Sequence, residues 1–207
     1  MVLDQYALNS KTVVNIIPIS DLHIGNPTFN KDLFKQMLKT IKPLKNRRIY
    51  LLGDMLEVAS KNVGDSAYGQ ECTVEEQREY FINNIKPFKD DIVCYCAGNH
   101  EYRLNKEFGF NIVKDMCREL GISYCNQNLD TFAINDFDFS IFCRHVKGSS
   151  KTKPLAMGKL ERSTEHIVAD MYLEGHNNKN IWYNAAHGNR REDRTLQNKA
   201  EKYGNHH

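Results

Sequence analysis

Polar side chains of the kinds that bind divalent metals follow three short apolar runs in this sequence. Asp21-x-His23 comes after the first run, Asp54 after the second, and Asn99-His100 after the third. Carboxylate and amide oxygens combined with imidazole nitrogens suit a divalent transition metal. A single Asp-x-His is more often only a turn at the end of a strand. Because metal-binding side chains follow all three apolar runs, the sequence predicts a metal site whose ligands come from several strand ends.

The apolar runs before these motifs have the length of buried β-strands. Residues 13–19, 48–52 and 92–97 are rich in apolar and β-branched side chains and are too short for helices. Helical patterns over residues 31–42 and 73–86 separate them. This alternation predicts a parallel sheet with right-handed crossovers. Ligand groups collect at the carboxyl ends of such strands, so we expect the three motifs to lie together there.

Capping residues and apolar spacing set the predicted helix limits. Asn30 can cap the first helix and Pro43 stops it, whereas Thr73-x-x-Glu76 is a capping box for a second helix that Pro87 ends. A third helix follows the third strand. The buried face of the first helix would be formed by Leu33, Phe34, Met37, Leu38 and Ile41. That of the third helix, which ends at Gly121, would be formed by Phe108, Ile112, Met116 and Leu120.

The second half of the chain begins with a predicted β-hairpin. Residues 131–134 and 137–145 would pair around a turn at Asn135-Asp136. Side chains two residues apart share one face of a strand, so Phe137, Phe139, Ile141 and Cys143 would form a buried apolar face that His145 continues. This places His145 at the exit of its strand, as the earlier motifs are at theirs.

The rest of the chain continues with shorter elements. A helix is predicted over residues 155–168, and strands over 170–173 and 181–186. Residues 188–207 are polar without an apolar period and form either a tail or a truncated remainder. Since there is no repeat and no linker, we predict one domain, residues 1–187.

Five motifs in a fixed order resemble those of the calcineurin-like metallophosphoesterases. They are Asp21-x-His23, Gly53-Asp54, Gly98-Asn99-His100-Glu101, His145 and Gly175-His176, and the resemblance covers residues 13–187. It implies an α/β fold, a four-layer αββα sandwich with a two-metal site at the strand ends. The motifs are closer to the exonuclease-like and phage-type branches than to the protein phosphatases, whose Asp-Arg-Gly is replaced here by Glu57-Val58-Ala59.

The resemblance also implies a role for each of these residues. The implied metal ligands are Asp21 and His23 for the first ion, Asp54 for both ions, and Asn99, His145 and His176 for the second ion. His100 would bind no metal and would protonate the leaving oxygen, opposite a hydroxide that bridges the two ions. We expect the ions to be Mn²⁺, with Zn²⁺, Fe²⁺ and Mg²⁺ as alternatives.

Two charged side chains beside these motifs have open roles. Glu57 lies three residues past Asp54 and could orient His100, with Glu101 as its rival. Arg103 could clamp a substrate phosphate, but an arginine in this position is as often part of a structural ion pair.

The last motif departs from the family pattern. The family normally ends it with a second histidine, and this sequence has Asn178 there. An amide oxygen is a weaker ligand than imidazole, so the first metal site would be looser or suited to a harder ion. His187 is the alternative ligand for that position.

The motifs predict a metal-dependent phosphodiesterase, with cleavage of DNA or RNA as the narrower hypothesis. The alternatives are a phosphomonoesterase or a cyclic-nucleotide phosphodiesterase and, in another class, a catalytically impaired scaffold that binds proteins. His100 favours an enzyme, because scaffolds that resemble this family tend to lose the acid. One group of basic residues has two equally weighted interpretations, contact with a nucleic-acid phosphate backbone or a solvated charged face. The group is formed by Arg144, Lys147, Lys151, Lys153, Lys159 and Arg162.

The composition sets broad limits on the class of protein. The 207 residues are 41% hydrophobic and 26% charged, and the net charge of +2 neither indicates nor excludes nucleic-acid binding. No apolar run reaches the length of a membrane span, and the N-terminus lacks a signal-peptide pattern. The six cysteines follow no zinc or disulfide spacing, and Cys94 and Cys96 fit small core residues. We therefore expect a cytoplasmic protein, and the sequence does not indicate an oligomeric state.

Overall fold

Two four-stranded sheets and a layer of helices form the part of the chain that the structure describes. The computed structural model describes residues 5–8, 13–59, 69–134, 137–146 and 167–176. The strands, in chain order, are β1 (Gln5–Leu8), β2 (Asn15–Ile19), β3 (Arg47–Leu51), β4 (Ile92–Cys96), β5 (Tyr124–Cys125), β6 (Gln127–Ile134), β7 (Phe137–His145) and β8 (Met171–Gly175). The helices are α1 (Lys31–Ile41), α2 (Val74–Ile85), α3 (Tyr102–Phe108) and α4 (Ile112–Leu120), with a 3₁₀ helix over Lys86–Asp91.

The first sheet contains the strands that end at the predicted metal motifs. Its order is β2-β3-β4-β5, and every neighbouring pair is parallel. The predicted order of strands and helices and the parallel sheet are therefore confirmed. The strand β5 was not predicted, because two residues are too few to show a period.

The second sheet is built on the predicted hairpin. Its order is β1-β6-β7-β8, and β6 and β7 are antiparallel with Ile134 opposite Phe137. The strand β8 lies parallel to β7 and places Gly175 beside His145. The hairpin is confirmed, whereas β1, which pairs with β6 in parallel, was not predicted.

Alternating side chains of the first sheet separate two buried layers. Ile49 and Leu51 of β3 pack with the helices, whereas Tyr50 and the adjacent Leu52 pack with the second sheet. Successive side chains of a strand point to opposite faces, so one strand contributes to both layers. The described residues thus form a helix layer, a sheet and a second sheet. The helix predicted over residues 155–168 and the strand predicted over 181–186 lie outside them.

The predicted caps begin the first two helices. Asn30 Oδ1 accepts a hydrogen bond of 2.9 Å from Leu33 N, and Thr73 and Glu76 form the capping box in both directions. After α2 the chain continues as the 3₁₀ helix, which contains Pro87 near its start. Proline cannot donate the hydrogen bond that would extend the α-helix, and this is why α2 ends before it.

Three residues expected on buried faces are exposed instead. The side chain of Leu33 is 62% exposed on the first turn of α1, and Phe137 at the start of β7 is also exposed. Phe108 is 72% exposed because the predicted third helix is two helices, separated at Gly109 with a φ of +68° and restarted by the cap Asn111. The four-residue spacing of apolar side chains was therefore correct for α4 and wrong for Phe108.

A buried ion pair joins the two sheets. The Arg48 guanidinium contacts the Asp130 carboxylate at 2.6 and 2.7 Å, and Tyr50 donates its hydroxyl to the same carboxylate. The guanidinium also lies 4.6 Å above the ring of Phe132. Burial and the neighbouring Asp130 raise the pKa of Tyr50. This pair connects β3 of one sheet with β6 of the other.

Asp130→Ala is expected to lower the free energy of unfolding by about 3–5 kcal/mol, because it removes the carboxylate that pairs with the buried Arg48 guanidinium. Urea unfolding followed by circular dichroism measures this. The control is Asp91→Ala, which removes the partly exposed partner of Arg47 and should cost about 0–1 kcal/mol. Equal losses in the two variants would show that burial does not strengthen the inter-sheet pair.

The cysteines are free thiols, and four of them are buried: Cys94, Cys96, Cys117 and Cys143. Cys94 Sγ lies 3.5 Å from Cys143 Sγ, and Cys96 Sγ lies 3.4 Å from Cys125 Sγ. Cys94 and Cys96 are buried between the sheets, which confirms them as small core residues. Among the described helices, none is long and apolar enough to cross a membrane.

Candidate metal centre

The predicted ligands within the described residues lie together at the carboxyl ends of five strands. They are Asp21 and His23 after β2, Asp54 after β3, Asn99 and His100 after β4, His145 at the end of β7 and His176 after β8. Hydrogen bonds join the two sheets at this edge. His145 Nδ1 lies 2.6 Å from the carbonyl oxygen of Leu52, and the backbone N–H of His176 donates to Asp21 Oδ2 at 2.9 Å.

Four of these residues adopt left-handed backbone conformations. The φ angles are +54° at Asp21, +50° at His23, +54° at Asp54 and +81° at His176. Such a conformation costs a residue other than glycine about 1–3 kcal/mol and is concentrated at functional sites. The chain turns sharply at each strand end and carries the side chains toward a common point.

Gly98 allows the close approach of the third motif to Asp54. A Cβ atom at this position would lie 2.2 Å from both Asp54 N and Asp54 Oδ1. No side chain fits at that distance, so glycine is required for steric reasons. Its absence of a side chain lets the Asp54 carboxylate accept the backbone N–H of His100 at 2.8 Å.

Two groups of donor atoms share Asp54. One group comprises Asp21, Asp54, His145 and His176, and the other His23, Asp54 and His100; within each group the donor atoms lie within 4.8 Å of one another. Asp21 Oδ1 is also 4.0 Å from His23 Nε2, so Asp21 lies beside both groups. Carboxylate and imidazole donors in this combination fit Mn²⁺, Fe²⁺ or Zn²⁺.

The Asp54 carboxylate is buried and ionised. Burial alone would raise its pKa, but the hydrogen bond and charge of His145 and the backbone N–H of His100 lower the pKa of Asp54 to about 2. Its Oδ2 atom lies 3.3 Å from His145 Nε2 and 3.9 Å from His176 Nδ1. A charged carboxylate with two oxygens can serve two cations.

Hydrogen bonds determine which nitrogen of His145 is available. A carbonyl oxygen can only accept, so the contact with Leu52 assigns the proton to Nδ1. Nε2 then faces Asp54 Oδ2, and Asn99 Oδ1 at 3.0 Å. A histidine held in this way presents Nε2 to a metal. Burial lowers the pKa of His145, but the Asp54 carboxylate more than offsets this and raises it.

The Glu57 carboxylate lies between two imidazoles and is closer to His23. Its Oε2 atom is 2.9 Å from His23 Nδ1, and its Oε1 atom is 3.5 Å from His100 Nδ1. A carboxylate on the far nitrogen orients a metal-binding histidine and makes it more basic. Burial raises the pKa of Glu57, but the hydrogen bond from His23 and the charge of His100 lower it overall.

His100 is held chiefly by a backbone carbonyl and by Arg103. Its Nδ1 is 2.9 Å from Glu57 O, and its Nε2 is 3.1 Å from Arg103 Nη2. Burial lowers the pKa of His100, and Arg103 adds to the effect. Arg103 also donates to Glu57 O at 3.1 Å, so it lies next to His100 with part of its donor fork already occupied.

Glu101 supports the loop that carries Asp54. Its buried carboxylate accepts the backbone N–H groups of Asp54, Met55 and Leu56 at 3.1, 2.7 and 3.2 Å, and the hydroxyl of Tyr95 at 3.1 Å. Burial and the nearby Asp54 raise its pKa. This role was not predicted from the sequence, where Glu101 was considered only as a partner of His100. The position of Glu101 directly after His100 in the sequence does not indicate which groups its carboxylate contacts.

Several predicted residues lie outside the described part of the chain. They are Asn178 and His187, and Lys147, Lys151, Lys153, Lys159 and Arg162 of the basic group. Arg144 is described, and its guanidinium pairs with Glu174 on the neighbouring strand at 2.7 and 2.8 Å. The described member of the basic group is therefore engaged in an ion pair.

Comparison with known proteins gives few individual relatives. No curated protein matches this sequence. Among solved structures, the chain is similar to the phosphopantetheinyl hydrolase from Mycobacterium tuberculosis, with 16% identity and a TM-score of 0.38. The alignment covers 75% of this chain and 54% of the other, so this chain spans about half the length of that protein.

The family comparison is more extensive. The model of the calcineurin-like phosphoesterase family matches residues 14–200. This range begins at the strand before Asp21 and includes every residue of the two donor groups. Because the match spans most of the 207 residues, the chain belongs to the calcineurin-like phosphoesterases.

Proposed function

We propose that this phosphoesterase hydrolyses phosphodiesters with two divalent metal ions, preferably Mn²⁺. The observation that supports this is the sharing of Asp54 between two groups of donor atoms. A carboxylate common to both groups would hold two ions close to each other. When bound, two neighbouring divalent ions would activate a water and stabilise the charge on the attacking and leaving oxygens.

The proposed residue roles are those that the family resemblance implies, and Asp21, which lies beside both donor groups, is assigned to the ion held by His23. Asp21 and His23 would hold one ion, Asn99, His145 and His176 the other, and Asp54 both. Glu57 would fix the ring of His23, and Glu101 would hold the backbone on which Asp54 is carried. These supporting contacts keep the donors in place without substrate.

We assign His100 the transfer of a proton to the leaving oxygen, a role that requires a proton on its Nε2, the atom that lies 3.1 Å from Arg103 Nη2. The His100 ring lies 4.4 Å from that of His23, beside the donor group, and the Glu57 carbonyl fixes its orientation. A leaving alkoxide is a strong base, so protonation in the transition state accelerates its departure. Arg103, next to His100, would contact a phosphate oxygen with guanidinium N–H groups that do not donate to the Glu57 carbonyl.

A substrate panel tests the proposed function. The purified protein is assayed with bis-p-nitrophenyl phosphate, p-nitrophenyl phosphate, single-stranded DNA and RNA, each with Mn²⁺ and with EDTA. We expect Mn²⁺-dependent cleavage of the diester and a lower rate with the monoester. A higher rate with the monoester would indicate a phosphomonoesterase, and turnover of none of the four would favour a scaffold.

Nucleic acid as the substrate depends on the basic group. Neutralising Lys147, Lys151 and Lys153 together should make binding of single-stranded DNA less dependent on salt, with the slope of log K against log [salt] reduced by about 2 if all three contact phosphates. Fluorescence anisotropy at several salt concentrations measures this. An unchanged slope would show that these lysines are only solvated, and would favour a small-molecule phosphodiester.

A further inference from the structure

A cavity of about 510 Å³ extends from the metal ligands along the loop between β2 and α1. One end is polar and contains Asp21, His23, Glu57 and His100. The other end is lined by the apolar side chains of Phe29, Leu33, Phe34 and Met37. A single cavity therefore joins the proposed catalytic groups to an apolar wall.

The side-chain oxygens of Asn26 and Asn30 along this loop already accept hydrogen bonds. Asn26 Oδ1 accepts hydrogen bonds from Thr28 N at 2.9 Å and from Thr28 Oγ1 at 2.7 Å. Asn30 Oδ1 accepts from Leu33 N as the cap of α1. Among the described residues that line the cavity, none is lysine or arginine. Among these described lining residues, the end far from the metal ligands therefore offers no cation to hold a second phosphate.

The apolar wall is held in place by its own packing. The ring of Phe29 lies 5.9 Å from that of Phe34 and 6.0 Å from that of Tyr80. Leu33 stands on the first turn of α1 with most of its side chain exposed. When a pocket is already formed before binding, little free energy is spent on ordering its side chains as the ligand enters. Contact with an apolar ligand group would remove the exposed Leu33 surface from water, which is favourable.

We propose that this apolar end is a subsite for an uncharged, apolar substituent of the phosphoester, an aryl or alkyl group, and that Leu33 sets the preference for it. The proposal rests on the proposed function, because the phosphate must lie at the polar end for its substituent to reach Leu33. It makes Leu33 a specificity-determining residue without a part in the chemical step.

Phosphonates test the subsite separately from catalysis, because they bind without being hydrolysed. The Mn²⁺-loaded protein is titrated by calorimetry with methylphosphonate, phenylphosphonate and 1-naphthylphosphonate. Each compound has one substituent, so the series changes only the group offered to the pocket. We expect affinity to rise along the series by about 100-fold, since even one methylene in an apolar pocket changes discrimination by about 10–200-fold.

Leu33→Asn should reduce the preference for naphthyl over methyl by about tenfold, because it replaces apolar surface by an amide that prefers water. The control is Val13→Asn. Val13 is 72% exposed and precedes β2 at the end of the strand remote from the site, so this variant should keep the parent's preference. Hydrolysis of bis-p-nitrophenyl phosphate is measured on the same preparations.

The outcomes separate the two proposals. Hydrolysis of the diester with equal affinities for the three phosphonates would overturn the subsite and leave the proposed function in place. Graded affinities without hydrolysis would retain the subsite as a binding pocket and overturn the proposed function. Graded affinities that are identical in Leu33→Asn and the parent would place the apolar group elsewhere and overturn the assignment.

Discussion

Asp54→Asn is expected to lower turnover of the diester by about 10³-fold, the upper range for the loss of one electrostatic contact in an active site. The protein should also lose at least one bound metal ion. The amide keeps the size of the side chain and an oxygen to accept the His100 N–H, but it removes the charge shared by both donor groups. Steady-state kinetics and metal analysis by mass spectrometry measure the two effects.

The matched control is Asp170→Asn. The Asp170 carboxylate also accepts a backbone N–H, from Ser140 at 2.7 Å, but it lies at the start of β8, away from the donor groups. This variant should keep its metal and its turnover. If Asp54→Asn also kept both, a shared role of Asp54 between two ions would be wrong.

His100→Ala is expected to lower turnover by about 10²–10⁴-fold while both metal ions remain bound, as for the loss of a general acid. The decrease should be smaller for p-nitrophenolate, a stable leaving group, than for an alkyl alcohol. The structure makes the metal analysis decisive, because His100 also belongs to the donor group of His23 and Asp54. Retained metal would indicate an acid, and lost metal a ligand.

His100→Asn serves as the companion variant. Its amide can donate to the Glu57 carbonyl, as His100 Nδ1 does, so the local backbone should be preserved. It cannot transfer a proton, and we expect the same decrease as for alanine. Equal losses for good and poor leaving groups would show that His100 acts by another route than protonation of the leaving oxygen.

The sequence by itself determined the order of the elements that reach the site. Short apolar runs before Asp21, Asp54 and Asn99 predicted three parallel strands, and the structure contains them as β2, β3 and β4. The caps Asn30 and Thr73 predicted where α1 and α2 begin. These features are local, because hydrogen bonding and side-chain period over a few residues decide between strand and helix.

Only the tertiary structure decided how the side chains are paired. Glu57 lies 34 residues from His23 in the sequence and 93 residues separate Leu52 from His145, yet each pair is in hydrogen-bond contact. Glu101 could be judged a partner of His100 by proximity in the sequence, but its carboxylate accepts the backbone N–H groups after β3. Such contacts depend on strand register and on the approach of two sheets, which no local pattern specifies.

The difference between local patterns and long-range packing also explains why some apolar residues are exposed. Helical spacing placed Leu33 on a buried face, because period alone cannot distinguish a side chain that packs in the core from one that lines a cavity. The buried pair of Arg48 and Asp130 is equally invisible in the sequence, since its partners come from different sheets. The residues able to bind metal can therefore be identified from the sequence. Their arrangement into two donor groups that share Asp54, and the apolar wall beside them, arise from long-range packing.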